Sequence, residues 1–233
     1  MNQTLSNRLF DFYQMEQNSQ TPPKILDIGG WFAPCSQATH MVDLMPFETL
    51  NRKGSYGNGE LKIQKQNYFQ LDLGTIEQLP FKNQEFDFVI CRHTLEDIKD
   101  PIKICKEMIR VARSGYLETP HRVYESTKGV ERHWWCGHYH HRWLVEIQNQ
   151  KVTFQFKPHN IHSSSKYHFR CWPWQKIREE FKNTSLFWEG SFQFEERIII
   201  NYQELKDQLS NFKKSMVFQN LKRLRWETKK ENL

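Results

Sequence analysis

Residues 24–44 read KILDIGGWFAPCSQATHMVDL and decide the fold of this 233-residue chain. The apolar run Ile25–Ile28 is typical of a buried strand, and two glycines follow it directly. A strand that ends in glycines is typical of a loop whose backbone approaches a bound nucleotide or nucleoside. Trp31 stands where such a loop usually has another small residue, and Pro34 cuts short the helix that normally follows. The stretch therefore predicts either a working site with an unusual turn or a decayed one.

Five short apolar runs in the first 120 residues predict strands, namely Ile25–Ile28, Met41–Leu44, Tyr68–Leu71, Phe86–Cys91 and Tyr116–Glu118. Between the last two, Asp100 and Pro101 predict the cap and first turn of a helix with one apolar face. Strands that alternate with helical or loop crossovers favour an α/β fold with a mainly parallel, covered sheet.

The pattern changes after Pro120. Residues 143–157 predict an antiparallel hairpin, because Val152, Phe154 and Phe156 alternate with polar residues after a polar turn at 148–150. A short helix near 173–182, a strand pair at 186–190 and 192–200, and a helix from about Tyr202 are expected next, and a lead-in helix is expected at 4–16. We therefore predict an α/β core at 1–120 and a C-terminal antiparallel, strand-rich cap at 121–233, as two domains or as one structural unit.

Composition and charge narrow the function classes. The five cysteines are scattered without CxxC spacing, which favours a reducing compartment and predicts a cytoplasmic protein. No apolar run approaches the ~20 residues of a membrane span, and no signal peptide is expected. Residues 213–230 hold seven basic residues and one acid, which predicts either a nucleic-acid contact or a solvated helix face.

Several predicted strands end in residues suited to an adenosyl ligand, at the edge of a parallel sheet where ligands bind. Gly29 and Gly30 let the backbone approach closely. Asp43 ends the second strand, where a carboxylate accepts hydrogen bonds from ribose hydroxyls, and Asp72 follows the third, where it accepts from an adenine amino group.

These motifs resemble those of class I S-adenosylmethionine-dependent methyltransferases, which have a Rossmann-like α/β core. The matching text is ILDIGG, VDL, LDL, QLPFKNQEFDFVICRHTLEDIKDP and RVARSGYLETP, within residues 24–120. The resemblance implies S-adenosyl-L-methionine as cofactor. It implies that the cofactor is bound by Asp27, Gly29, Gly30, Trp31, Asp43, Asp72, Leu73, Arg92 and His93.

Within this set, the resemblance places the glycines under the methionine part, Asp43 at the ribose and Asp72 with Leu73 around the adenine. Arg92 and His93 are placed near the sulfonium. A nicotinamide cofactor is disfavoured, because Trp31 and Pro34 break the G-x-G-x-x-G turn and its helix. About ten residues separate the loop from the second strand, too few for a crossover helix, so we expect a tight arm with an aromatic ring near the cofactor.

Residues 121–143 read HRVYESTKGVERHWWCGHYHHRW and hold half of the ten histidines. Three interpretations remain open: acceptor recognition with proton removal, a metal site through His138 and His140, or ordinary packing. No metal ligand is assigned. The catalytic candidates are His93, His138 and His141, and the substrate-binding candidates are His121, His133, Trp135 and His140.

The sequence thus predicts methyl transfer to oxygen or nitrogen of a small-molecule, sugar or natural-product acceptor. RNA or protein acceptors remain an alternative because of the basic tail. Two alternatives of another class are a non-catalytic binding protein on the same fold and a metal-dependent enzyme that uses the histidines. No membrane association is expected, and the oligomeric state is left open.

Overall fold

The computed structural model describes residues 23–51, 54–57, 60–170 and 177–230, with side chains described as far as Val217 in the last helix. The chain divides into two compact units. The first takes the described part of Met1–Thr119 together with Val145–Phe154 and Thr184–Glu196. The second takes Pro120–Leu144, Gln155–Asn183 and the described part of Arg197–Leu233.

Within the described ranges the strands are β1 Ile25–Ile28, β2 His40–Asp43, β3 Tyr68–Gln70, β4 Phe86–Arg92, β5 Ala112–Pro120, β6 Thr127–Lys128, β7 Trp143–Gln148, β8 Lys151–Phe156, β9 Phe169–Arg170, β10 Asn183–Glu189 and β11 Gln193–Arg197. The α-helices are α1 Pro101–Val111, α2 Arg122–Glu125 and α3 Tyr202–Lys230. Short 3₁₀ helices span Phe47–Thr49, Lys65–Asn67, His159–His162 and Glu179–Phe181.

The first unit contains a six-stranded sheet in the order β10-β5-β4-β1-β2-β3. Strand β1 pairs in parallel with both β2 and β4, and the pairs β2–β3 and β4–β5 are also parallel. The strand order therefore reverses beside β1, and the carboxyl ends of β1, β2 and β4 meet at the edge where ligands bind in such sheets. The predicted Rossmann-like α/β core is confirmed.

Helix α1 is the crossover between β4 and β5. The Asp100 side chain accepts a hydrogen bond from the Lys103 backbone N–H at 2.9 Å, and Pro101 occupies the first turn. Its buried face includes Ile104, Cys105 and Met108. The predicted start and apolar face of this helix are confirmed.

The hairpin predicted at 143–157 is confirmed as β7 and β8, two strands of a sheet ordered β11-β8-β7. Its two-residue turn is Asn149 and Gln150, with φ of 49° and 62°. Two left-handed residues in a row are typical of the tight turn that matches the twist of the flanking strands.

The predicted pairing of the segments at 186–190 and 192–200 is wrong. Strand β10 joins β5 in the six-stranded sheet, whereas β11 joins β8. The physical reason lies at Gly115 of β5, where a Cβ atom would be 2.8 Å from Cζ2 of Trp188. The absent side chain leaves room for Trp188, and the ring of Phe187 packs 4.5 Å from that of Tyr116. Buried aromatic area thus holds β10 on the central sheet.

The first unit's longest segment ends at Thr119, and the hairpin residues 145–154 and the segment 184–196 group with that unit. Of the helix predicted near 173–182, the structure shows the 3₁₀ turn Glu179–Phe181, and residues 171–176 lie outside the described ranges. The predicted helix at 4–16 also lies outside them.

Helix α3 belongs to the second unit. Asn201 caps it by accepting from the Glu204 N–H at 2.8 Å, and Leu209 packs with Cys136, Leu144 and Ile161 in the core of that unit. Most of the basic side chains of its tail lie beyond Val217, outside the described side chains. Among the helices that the structure describes, none combines the length and apolar character of a membrane span.

Candidate functional site

The glycine loop after β1 is built around two positions that exclude a side chain. Gly29 has a φ of +74°, and a Cβ atom there would lie 2.0 Å from Oγ1 of Thr94. A Cβ atom at Gly30 would lie 2.3 Å from Oδ2 of Asp27. A side chain at either position would collide with the protein itself, so this loop requires glycine at both. Sequence reasoning did not single out Thr94, whose constraint on Gly29 acts across 65 residues.

Asp27 lies beneath this loop. Its side chain is fully buried, and Oδ2 accepts a hydrogen bond from the Cys35 N–H at 2.8 Å. Burial raises the pKa of this carboxyl to about 7, against the opposing effect of the Cys35 hydrogen bond. The structure thus gives Asp27, predicted among the cofactor-binding residues, a position from which it shapes the loop.

Asp43 ends β2 beside the loop and fixes its second half. Oδ2 accepts from the Trp31 N–H at 3.0 Å, and Oδ1 accepts from the Met45 N–H at 2.9 Å. Burial raises the pKa of Asp43, and the backbone hydrogen bonds oppose that shift. Because a carboxylate has about four lone-pair sites, Asp43 retains capacity for a ligand hydroxyl.

Trp31 is held from two sides. Its indole Nε1 donates to Oγ1 of Thr49 at 2.9 Å, and its carbonyl accepts from the Asn51 N–H at 3.0 Å. The connection from β1 to β2 is a short arm without a helix, as predicted, and the segment after β2 anchors it. The exposed ring next to it in the arm is Phe32, whose side chain is 52% accessible.

Asp72 and Leu73 follow β3. The Asp72 side chain is exposed, with Oδ1 accepting from the Gly74 N–H at 2.8 Å, whereas Leu73 is buried. The Leu71 N–H donates to the Asp43 carbonyl at 2.8 Å, so the ends of β2 and β3 are neighbours. The structure therefore brings the two predicted acids to the same edge of the sheet.

The ends of β4 and β5 carry a second set of groups, which we call the Glu118 cluster: Arg92, His93, Glu96, Tyr116 and Glu118. Oε1 of Glu118 accepts from Nε and Nη2 of Arg92 at 3.1 and 2.9 Å, and Oε2 accepts from the Tyr116 hydroxyl at 2.5 Å. The His93 ring lies between two buried carboxylates, with Nε2 3.4 Å from Glu118 and Nδ1 3.5 Å from Glu96.

The charges of the Glu118 cluster set the protonation of His93. Burial lowers the pKa of the imidazole, but hydrogen bonds and charges from Glu118 and Glu96 outweigh it and raise the pKa to about 9. Burial likewise raises the pKa of Glu118, while His93, Arg92 and Tyr116 together bring it down to about 2. At pH 7 His93 is therefore an imidazolium and acts as a hydrogen-bond donor.

Sequence reasoning missed one further contact of this cluster. The guanidinium of Arg92 lies 4.2 Å from the ring centroid of Tyr56, a residue outside every predicted element. Cation–π contact of this kind fixes the plane of Arg92 and so the position of Glu118. An isolated tyrosine in a loop gives no local signal of such a contact.

The second unit brings together a different group of residues, the Glu125 cluster: Glu125, Gly137, His138, His141 and Lys157. Glu125 is 1% exposed; its Oε1 lies 2.9 Å from Nδ1 of His141, and its Oε2 accepts from Nζ of Lys157 at 2.7 Å. The same ammonium donates to the carbonyl of His138 at 2.8 Å. Gly137 has a φ of +59°, and a Cβ atom there would lie 2.3 Å from Oε2 of Glu125.

Three predicted site histidines meet at this cluster. The ring of His141 lies 4.6 Å from that of His138 and 4.5 Å from that of His140. Burial lowers the pKa of His138, and the charges of His141 and His140 add to the shift although Glu125 and Glu131 oppose it. His138 is consequently a neutral imidazole at pH 7.

The other predicted substrate-binding residues make different contacts. Nδ1 of His121 accepts from the Val123 N–H at 3.0 Å and caps α2. His133 is exposed and its ring packs 4.1 Å from that of Trp134. Trp135 packs 4.0 Å from the ring of His162. Within the second unit, these contacts give each of the three residues a local structural role.

Comparison with known proteins identifies residues 53–117 as a match to the methyltransferase domain family. This match confirms the resemblance to S-adenosylmethionine-dependent methyltransferases. It covers Asp72, Arg92 and His93, whereas the glycine loop and Asp43 precede it.

Two curated relatives match a shorter segment. The demethylmenaquinone methyltransferase of Bacillus velezensis is 37% identical over 59 residues, which cover 24% of this chain and 25% of that protein. The corresponding protein of Bacillus pumilus is 36% identical over 59 residues, with the same coverage. The chain therefore spans about a quarter of the length of the curated relatives that it matches.

Solved structures of methyltransferases also align with this chain. An S-adenosylmethionine-dependent methyltransferase from Mesorhizobium loti aligns with a TM-score of 0.33 at 13% identity, covering 64% of this chain and 63% of that one. One from Aquifex aeolicus aligns with a TM-score of 0.32 at 12% identity, covering 50% and 64%.

Proposed function

We propose that this chain is an S-adenosylmethionine-dependent methyltransferase that transfers a methyl group to oxygen or nitrogen of a small-molecule, sugar or natural-product acceptor. The observation that carries the proposal is the edge of the parallel sheet where Gly29, Gly30 and Asp43 lie together. A backbone without side chains stands next to a carboxylate whose lone pairs are only partly used. The family match to residues 53–117 supports the same assignment.

The residues at this edge fit an adenosyl ligand. Asp43 accepts from ribose hydroxyls, and Asp72, exposed at the end of the neighbouring strand, accepts from an adenine amino group. The side chains that follow Asp43, Leu44 and Met45, are 60% and 36% exposed and offer apolar surface to a flat base. When bound, S-adenosylmethionine supplies an electrophilic methyl group on a sulfonium sulfur. The chain itself binds, orients and excludes water.

His93 has a positioning role in this proposal and differs from the base that the sequence predicted. Its imidazolium is held between Glu96 and Glu118, so it has no lone pair for an acceptor proton at pH 7. It holds Glu118 in place and donates hydrogen bonds. Its φ of 50° is uncommon for a residue other than glycine, and such backbone persists where surrounding contacts enforce it.

Acceptor choice rests on residue chemistry. Residues 133–143 carry several histidines and tryptophans, which suit stacking and hydrogen bonding to a polar ring or a sugar face. The name of the two relatives describes an action on demethylmenaquinone, and the matched segment is too short to bring that acceptor to this chain. An RNA acceptor would instead use the basic tail and would show binding that weakens steeply with salt.

The test is calorimetric titration with S-adenosylmethionine and S-adenosylhomocysteine. We expect a micromolar dissociation constant, about −8 kcal/mol, for the unchanged chain. Asp43→Ala should weaken binding by about 100-fold, because it removes a charged acceptor and frees the Trp31 arm. The matched control is Asp87→Ala, since Asp87 contacts the Lys24 N–H at the start of β4, at the amino end of the sheet.

The titration distinguishes failure of the proposed function from failure of the role given to Asp43. No heat from either ligand with a folded protein would overturn the proposal and favour a non-catalytic protein on the same fold. Binding that Asp43→Ala and Asp87→Ala weaken equally would instead refute Asp43 as the ribose contact. A third variant, Gly30→Ala, should abolish binding because its methyl group collides with Asp27.

A further inference from the structure

The Glu125 cluster is separate from the proposed cofactor contacts, since none of its residues belongs to them. All of its residues lie in the second unit. It joins a nearly inaccessible carboxylate to two imidazoles. We propose that Glu125, His138 and His141 form a binding site for one divalent transition-metal ion of the zinc class.

The ligand atoms have the separation that a small ion needs. One oxygen of Glu125 and one nitrogen from each of His138 and His141 lie within 4.8 Å of one another. Donors 2.0–2.1 Å from a tetrahedral zinc ion stand about 3.4 Å apart, so modest side-chain rotations close the site. Two imidazoles and one carboxylate are also the donor set of zinc sites that keep a fourth position open.

The surroundings hold these donors in place from outside. Lys157 binds Oε2 of Glu125 and the carbonyl of His138, which ties the loop backbone to the carboxylate. Gly137 permits the close approach of that backbone, because a Cβ atom there would collide with Glu125. Glu131, whose Oε2 lies 3.8 Å from Nδ1 of His138, is a candidate outer carboxylate. Outer contacts of this kind orient the ligands of metal sites.

The charges select the class of metal. Lys157 compensates the negative charge of Glu125, so the remaining attraction comes from imidazole nitrogens. Magnesium and calcium bind mainly through several oxygen atoms, and this site offers one carboxylate. Imidazole donors favour zinc, nickel, copper and cobalt. The site therefore discriminates against the hard cations.

This assignment gives His138 and His141 a role other than proton removal, and it differs from the metal alternative at His138 and His140. Spacing along the sequence could not reveal the carboxylate, because Glu125 comes from α2 and its ammonium partner lies 32 residues further on. The inference does not depend on methyl transfer, since it is measured without S-adenosylmethionine.

The experiment uses the full chain, stripped of metal with a chelator and titrated with Zn²⁺ in a calorimeter. We expect one ion per chain with micromolar or tighter affinity, and no competition from millimolar Mg²⁺. His138→Ala should weaken binding by at least about 100-fold, the upper range found for loss of an outer partner alone. His159→Ala, an exposed histidine outside the cluster, is the matched control and should bind like the unchanged chain.

Absence of saturable Zn²⁺ binding by the unchanged chain would overturn the proposal. Equal binding by folded His138→Ala and His159→Ala would overturn it as well, because the ions would then sit elsewhere. Glu125→Gln would leave the buried ammonium of Lys157 unpaired and could prevent folding. His138→Ala is therefore the decisive variant, because the His138 side chain is 31% exposed. Should that variant unfold, the Co²⁺-loaded unchanged chain decides: tetrahedral d–d absorption supports the site, and an octahedral spectrum refutes it.

Discussion

Two glutamates, one in each compact unit, are almost completely buried beside histidine and a basic side chain, yet the neighbouring His93 and His138 differ in charge. Around Glu118 in the first unit, the pKa of His93 is raised to about 9. Around Glu125 in the second unit, the pKa of His138 is lowered, first by burial and then by its neighbours His141 and His140. His93 is thus an imidazolium, whereas His138 is a neutral imidazole.

Burial lowers the pKa of both histidines, and at His93 hydrogen bonds to Glu118 and Glu96 overcome that effect. His93 lies between two carboxylates, Glu96 and Glu118, and Arg92 also pairs with Glu118. Glu125 is one carboxylate facing Lys157 and a group of three imidazole rings. Hydrogen bonds to carboxylates favour the charged form of histidine, whereas burial and crowded imidazoles disfavour it. A histidine therefore carries a charge or stays neutral according to its neighbours.

The largest effects on stability are expected when either glutamate is replaced. We expect Glu125→Gln and Glu118→Gln to lower the free energy of unfolding by about 3–5 kcal/mol, because each leaves a cation without its partner. Glu125→Gln should cost more, since Lys157 is 4% exposed while Arg92 is 18% exposed and retains the Tyr56 ring. Urea unfolding at pH 7 with a chelator measures both.

A double variant shows whether charge or packing makes Glu125 important for stability. Adding Lys157→Met to Glu125→Gln should restore part of the lost stability, because it removes the stranded buried charge. No recovery in the double variant would show that packing around Glu125, rather than its charge, holds this part of the second unit.

Asp27 sharpens the comparison as a carboxylate whose pKa is governed by burial, with the charge of Arg92 among the weaker opposing effects. Its pKa is about 7 instead of 3.8, so ionisation favours the unfolded chain, and folding stability should fall as pH rises from about 4 to 8. The full shift corresponds to roughly 4 kcal/mol. Asp27→Asn keeps an acceptor for the Cys35 N–H and should lack this loss. Urea unfolding at pH 5 and pH 8 measures the loss. The same drop in the free energy of unfolding in the unchanged chain and in Asp27→Asn would contradict this account.

A smaller effect is expected for titration of His93. Its pKa is raised from 6.5, so its charge stabilises the fold fully below pH 6.5, and this contribution is lost as pH rises through about 9. Glu118→Gln should lower the pKa of His93 measured from imidazole NMR shifts. Glu85→Gln, a change near the amino end of β4, serves as the control and should leave it unchanged. An imidazole that titrates near 6.5 in the unchanged chain would refute the two-carboxylate account.

The smallest effect is expected at the rim of the second cluster. Oε2 of Glu131 lies 3.8 Å from Nδ1 of His138, and both side chains are partly exposed. Glu131→Gln should change the free energy of unfolding by about 0–1 kcal/mol, because exposed pairs gain little over solvation. A loss comparable to that of Glu125→Gln would mean that the cluster extends further than its buried members.

Local sequence patterns were sufficient to predict most of the sheet and, in the candidate site, the glycine loop and Asp43. The strand β1 reads as a continuous apolar run because parallel strands are covered on both faces, and Asp100–Pro101 shows its cap in the sequence. Asp43 was predictable because it ends a strand next to the glycine loop. The partner of β10 was not predictable, since Gly115 leaves its space to Trp188 across 73 positions of the chain. Thr94, Tyr56 and Glu125 were missed for the same reason: their contacts are made far along the chain.

The arm that replaces a crossover helix also has an evolutionary consequence. Trp31 shares a hydrogen bond with Thr49, 18 residues away, and its carbonyl holds the Asn51 N–H. Substitution of Trp31 or Thr49 alone removes the side-chain hydrogen bond between them, so a mutation at one position favours a compensating mutation at the other. We expect positions 31 and 49 to covary among homologues. Chains with a glycine at position 31 should be free of that constraint and tolerate insertions between β1 and β2.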